Sequence, residues 1–96
     1  MIVYISAGNS DDKLTQSEWA QFLAELDYLL QRHSANVHGV WYSAPVSPWQ
    51  NACWCVELPD DDGTRAGFVK MRLAEIREKF RQDSVAWAEA PATVFL

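Results

Sequence analysis

The sequence predicts an α+β domain, an antiparallel sheet with two helices on one face, and three observations carry that expectation. Two amphipathic helical patterns lie between stretches of β-branched and aromatic residues, so strands and helices interleave along the chain. The stretch Trp49-Gln50-Asn51-Ala52-Cys53-Trp54-Cys55-Val56-Glu57-Leu58 reads as a strand with two largely apolar faces, the pattern of a central strand covered on both sides. Finally, 96 residues, about half apolar and 22% charged, suffice for one hydrophobic core but not two, so residues 1–96 are expected to form a single domain.

Residues 2–7 (Ile-Val-Tyr-Ile-Ser-Ala) form a short β-branched run that gives way to loop chemistry at Gly8-Asn9-Ser10-Asp11-Asp12-Lys13. Thr15-Gln16-Ser17-Glu18 then fits a capping box, with Leu14 and Trp19 placed to close a hydrophobic staple, so the first helix begins at Gln16. Trp19, Phe22, Leu23, Leu26, Leu29 and Leu30 mark one buried stripe, and the pattern breaks after His33. Residues 37–43 form the second strand. The turn Ala44-Pro45-Val46-Ser47-Pro48 returns the chain to the central strand, since its prolines cannot lie inside a ladder.

Pro59-Asp60-Asp61-Asp62-Gly63 ends that strand with turn and helix-start residues. Val69, Leu73, Ile76 and Phe80 recur at helical spacing, giving a second helix from Thr64 to about Arg81. Residues 84–89 form the fourth strand, Pro91 interrupts it, and residues 93–96 are expected to make a short fifth strand. The order β-α-β-β-α-β matches the ferredoxin-like split βαβ sandwich, with four strands in spatial order 4-1-3-2.

Sorting strand residues by parity separates a small or branched set (Val3, Ile5, Ala7, Val40, Cys53, Cys55, Ala86, Ala88) from an aromatic one (Tyr4, Trp41, Trp54, Trp87). Two bulky helix stripes bring their own volume, so the small set is assigned to the helix side and the aromatic set to the open face. Four rings of ~150 to 250 Å² each exceed what a monomer usually exposes. A second copy, the C-terminal segment or a ligand could cover them. The commonness of two-fold dimers favours a homodimer joined through Tyr4, Trp41, Trp54, Trp87 and Phe95. The reverse assignment, with the tryptophans as core beneath the helices, is the competing arrangement.

The same topology gathers Asn9, Ser10, Asp11, Asp12 and Lys13 with Trp49, Gln50 and Asn51 and with Arg81, Gln82 and Asp83 at one end of the sheet. Both charge signs, several amides and an indole make this end a candidate site for a small polar ligand. The alternative is a small metal-dependent hydrolase, nuclease-like, using Asp11, Asp12 and Asp83. Solvated loop, helix-end and turn roles account for the same residues structurally.

Other chemistry finds little footing, and no catalytic residue, cofactor or metal is assigned. Asp60-Asp61-Asp62-Gly63 lacks the alternating ligands and later glutamate of a calcium loop. Cys53 and Cys55, two apart on one strand, sit about 7 Å apart, at the limit for a disulfide, and form no zinc pattern with His33 or His38. Reduced, buried thiols, no apolar run long enough to span a bilayer and no signal-peptide pattern at the start place the chain in the cytoplasm. Thirteen acidic against eight basic residues, net −5, oppose tight binding of a phosphate backbone, although Tyr4 and Trp54 on the middle strands would suit base stacking.

In its length, its element order, an Asp-Asp-Lys after the first strand (Asp11, Asp12, Lys13) and an Asp-Ser-Val before the fourth (Asp83, Ser84, Val85), the chain is similar to the small endoribonuclease-like subunit of CRISPR spacer acquisition. The likeness covers about six residues. Ser6-Ala7-Gly8 stand where that family carries an acidic residue, and its basic helix faces are missing here, so nuclease chemistry does not carry over. It does suggest a last strand, Thr93 to Leu96, that joins a partner's sheet.

Overall fold

β1 (Ile2–Gly8) and β3 (Asn51–Glu57) form the middle of a four-stranded sheet, with β2 (Asn36–Tyr42) and β4 (Ala86–Ala90) at its edges in the order β2-β3-β1-β4. Every pairing is antiparallel. Counted from the other edge the order is 4-1-3-2, the ferredoxin-like arrangement the sequence predicts. The structure, a computed structural model, describes residues 1–9, 13–44, 47–92 and 94–96.

α1 (Gln16–His33) starts where its capping box dictates. Thr15 Oγ1 accepts from the Glu18 amide and Glu18 Oε1 accepts from the Thr15 amide, each at 3.1 Å, satisfying two N–H groups that the helix start would leave orphaned. Leu14 and Trp19 are both buried, as a staple requires. α2 (Thr64–Lys79) is started by the acidic loop before it: Asp61 Oδ1 accepts from the Gly63 amide at 2.8 Å and Asp62 Oδ1 from the Thr64 amide at 3.1 Å.

α2 stops two residues before the expected Arg81, and the backbone shows why. Arg81 takes a left-handed φ of 58°; its amide donates to the Glu78 carbonyl and the Gln82 amide donates to the Arg77 carbonyl, both at 3.0 Å. That pair of bonds is the Schellman ending, here built on an arginine where glycine is usual.

The core lies between the helices and one sheet face. Val3, Ile5, Ala7, Ala52, Trp54 and Val56 are buried there against Phe22, Leu26 and Leu30 of α1 and Val69, Leu73 and Ile76 of α2. Register fixes which residues share that face: Ile5 pairs with both Trp54 and Trp87, whereas Tyr4 pairs with Cys55. Cross-strand partners lie on the same side. Trp54 is therefore fully buried beneath the helices, and Trp87 faces the helix side half-buried, with the Lys70 ammonium 4.9 Å above its ring.

This corrects the aromatic sorting. Of its four rings only Tyr4 and Trp41 lie on the open face, while Cys53 and Cys55, assigned to the helix side, lie on the open one as half-buried free thiols. Parity within one strand is visible in a sequence, but the relation between strands is set by pairing, and one step of register exchanges the faces. On β2 a bulge between Val37 and Gly39 inserts an extra residue, so Val37 and Val40 both face inward. The same bulge turns His38 toward Glu57 on the open face and puts Tyr42 edge-on to Trp54, with ring centroids 6.2 Å apart. A further correction concerns the expected strand over residues 93–96: Thr93 lies outside the described residues, and Val94, Phe95 and Leu96 are exposed and pair with no described strand, β4 having ended at Ala90 before Pro91.

Candidate functional site

The polar end of the sheet is assembled by the loop after β1, the chain entering β3 and the turn after α2. Asn9 is buried there because it closes the loop between β1 and α1. Its Oδ1 accepts from the Leu14 amide and its Nδ2 donates to the Leu14 carbonyl, both at 3.1 Å. Its backbone N–H donates to the Gln50 carbonyl at 2.8 Å. Gln50, also buried, forms a reciprocal amide pair with Gln16 of α1, with Nε2 donating to Gln16 Oε1 at 2.8 Å and Oε1 accepting from Gln16 Nε2 at 3.1 Å. Its Oε1 also accepts from Asn9 Nδ2 at 3.3 Å. These amides join the start of α1 to both central strands, and buried amides need such partners.

Gln82 is buried beyond the end of α2, its Nε2 donating to the Phe80 carbonyl at 3.1 Å and its carbonyl accepting from Arg77 at 3.0 Å. Arg81 reaches back to Glu18 at 2.7 Å, tying the end of α2 to the start of α1. The guanidinium beside Glu18 is the main reason its carboxyl ionises below the usual glutamate range. Asn51 Nδ2 donates to the Trp49 carbonyl at 2.9 Å, and the Asn51 amide donates to Ser43 Oγ at 2.9 Å, a local clasp between the ends of β2 and β3.

Of the predicted site residues, then, Asn9, Gln50, Gln82 and Arg81 serve the fold. Lys13 and Asp83 meet at 3.2 Å on the surface, and Trp49 is exposed. Ser10, Asp11 and Asp12 lie outside the described residues, so of the three acids of the hydrolase reading the structure places only Asp83, exposed and paired with Lys13.

A second concave region, missed in the sequence, lies along the outer seam of the two helices: a groove of about 350 Å³ lined by the buried Leu29 and Ile76, the exposed Tyr28 and Phe68, and Arg32 and Arg72. Its signal was present in the spacing, since Tyr28 and Arg32 are four apart on α1, and Phe68, Arg72 and Ile76 recur every four on α2. Both stripes border the core stripe and pass for solvated helix surface. Compared with protein-family models and with curated proteins, the chain matches none.

Proposed function

We propose that this chain is a non-catalytic binding module of the cytoplasm that works as a homodimer joined through the open face of its sheet. The observation that carries the reading is the makeup of that face. Tyr4, Trp41, Ala86 and Ala88 are exposed there, Cys53 and Cys55 lie half-buried between them, and the only described charge is Glu57, at one end beside His38 (3.2 Å). A small, flat, uncharged floor with two aromatic knobs suits a self-complementary partner. The Tyr4 phenol ionises above the usual tyrosine range, chiefly because of the neighbouring Cys55 thiol, and stays neutral in such a contact.

Four strands about 4.8 Å apart, each presenting some five residues at about 3.3 Å, offer roughly 300 Å² in plan, well below the ~800 Å² per partner of a standard interface. The exposed Val94, Phe95 and Leu96 beyond β4 are assigned to the same contact. Two free thiols on this face suit a reducing compartment. Among the described residues no helix is long and apolar enough to cross a membrane. At the polar end, Lys13, Trp49, Asn51 and Asp83 remain accessible to a small polar ligand, to be sought by thermal-shift screening of polar metabolites and nucleotides.

Sedimentation equilibrium of the purified chain tests the dimer. Concentration-dependent association that is lost in Trp41→Lys with Tyr4→Lys supports the reading; a monomer at every concentration up to the millimolar range overturns it.

A further inference from the structure

We propose that the groove along the outer seam of α1 and α2 binds a small aromatic anion, an aryl carboxylate, sulfonate or phosphate, with its ring between Tyr28 and Phe68 and its charge on Arg32 and Arg72. The inference is independent of the dimer, which uses the opposite side of the sheet.

Charge placement carries it. The chain has thirteen acidic and eight basic side chains, so cations should find carboxylates easily. Lys13, Lys70, Arg72, Lys79 and Arg81 each lie within 4.0 Å of one. Among the described residues Arg32, Arg65 and Arg77 do not. Arg77 and Arg65 are held by backbone carbonyls, those of Gln82 and His33, each at 3.0 Å, whereas Arg32 lines the groove. An acidic protein thus keeps one guanidinium of this groove, Arg32, without a carboxylate, its Nη1 donating only to the Tyr28 hydroxyl at 3.4 Å.

The groove's own acid is already occupied: Glu25 pairs with Lys79 at 2.9 Å. Arg72 holds Glu75 in an exposed i,i+3 pair at 3.2 Å, an interaction weak enough to exchange for a ligand. Its volume of about 350 Å³ falls at the small end of the range for small-molecule sites, about 300 to 1,000 Å³. Apolar walls favour a ring, and guanidinium forks favour a planar or tetrahedral oxyanion.

His33 supplies an internal reporter. Its ring packs edge-on against Phe68 with centroids 4.8 Å apart, and it faces Glu25, Tyr28 and Arg32 of α1 together with Arg65 and Arg72 of α2. Burial first, and then the three arginines, hold its ionisation below the usual histidine range. A bound anion offsets the arginines and raises it.

The probe is anilinonaphthalene sulfonate, an aromatic sulfonate whose fluorescence rises on leaving water, with its uncharged counterpart phenylnaphthylamine as control. One sulfonate per chain is expected, bound more tightly than the neutral analogue, weakened by salt, and weakened by about tenfold or more in the Arg32→Gln, Arg72→Gln double variant, roughly the loss of one charge-assisted hydrogen bond. In parallel, NMR of the two histidines should show His33 titrating at higher pH in the complex while the ring signals of His38, on the open sheet face, do not move. Equal binding of the neutral analogue, retained affinity in the double variant, or movement of His38 instead of His33 each overturns the proposal. The last result would place the probe on the sheet face.

Discussion

Replacing Trp54 by alanine tests the packing assignment most directly, because the two possible faces predict very different costs. Trp54 is fully buried at the centre of β3, paired with Ile5 on one side and Val40 on the other. Its indole N–H donates to Asp27 Oδ1 of α1 at 3.0 Å. Truncating a buried aromatic side chain costs ~3 to 5 kcal/mol. A domain of this length holds about 5 to 14 kcal/mol in total, so Trp54→Ala should remove between about a fifth and all of it. Trp54→Phe keeps most of the ring volume but removes the donor to Asp27, at a cost of about 1.5 to 3 kcal/mol. Trp41→Ala, on the open face at 58% exposure, should cost under about 1 kcal/mol in the monomer. Urea unfolding followed by far-ultraviolet circular dichroism, at several protein concentrations to separate folding from association, reads all three. Equal destabilisation by Trp41→Ala and Trp54→Ala would refute the packing.

Asn9→Ala should cost ~2 to 4 kcal/mol by the same assay, because it strips bonds from the buried Leu14 amide and the Gln50 side chain without exposing either to water. Arg81→Gly should be more stable than Arg81→Ala by about 1 kcal/mol, since both lose the Glu18 contact but only glycine relieves the left-handed φ of 58°. The Glu18 pair also sets a pH dependence: a carboxyl depressed in the folded state stabilises above its ordinary value of 4.5 and loses that contribution as the pH falls through its lower folded value. The stability gap between the wild-type chain and Arg81→Met, followed by thermal melts, should therefore be constant near neutrality and close below about pH 4.5. Trp41→Lys should leave sulfonate binding at the helix seam unchanged, as sites on opposite sides of the sheet share no side chain and should behave additively; fluorescence titration of the variant checks it.

The elements of this fold were legible because each is specified locally. Thr15 and Glu18 define the start of α1 in four residues, and the stripes of Leu26, Leu29 and Leu30 and of Val69, Leu73 and Ile76 mark faces that only burial explains. Strand order followed from the β-α-β-β-α-β element order and its match to the ferredoxin-like arrangement. The pairing of faces between strands did not, because it depends on a register set by distant contacts and, on β2, on a bulge whose extra residue leaves no trace in composition. That is why Tyr4 and Trp54, both at even positions on apolar strands, were placed together and lie on opposite sides of the sheet. The arginine at the end of α2 likewise hides a glycine-type stop that periodicity reads as one more helical turn.

The candidate site shows a different limit. Sequence order brought the right residues to the polar end of the sheet, yet a buried amide and a ligand-binding amide are the same residue type, and only the partner atoms distinguish them. Asn9 and Gln50 bond to Leu14, Gln16 and each other, so their chemistry is spent on holding the loop after β1 against α1. At the helix seam the inequality runs the other way. Arg32 and Phe68 occupy positions that any solvated helix could carry, and they gain meaning only when two helices lie side by side and the groove's own carboxylate, Glu25, is found committed to Lys79. Unsatisfied charge beside apolar surface is a property of the assembled fold, so for this chain the sequence is a better guide to what holds the molecule together than to what it is free to bind.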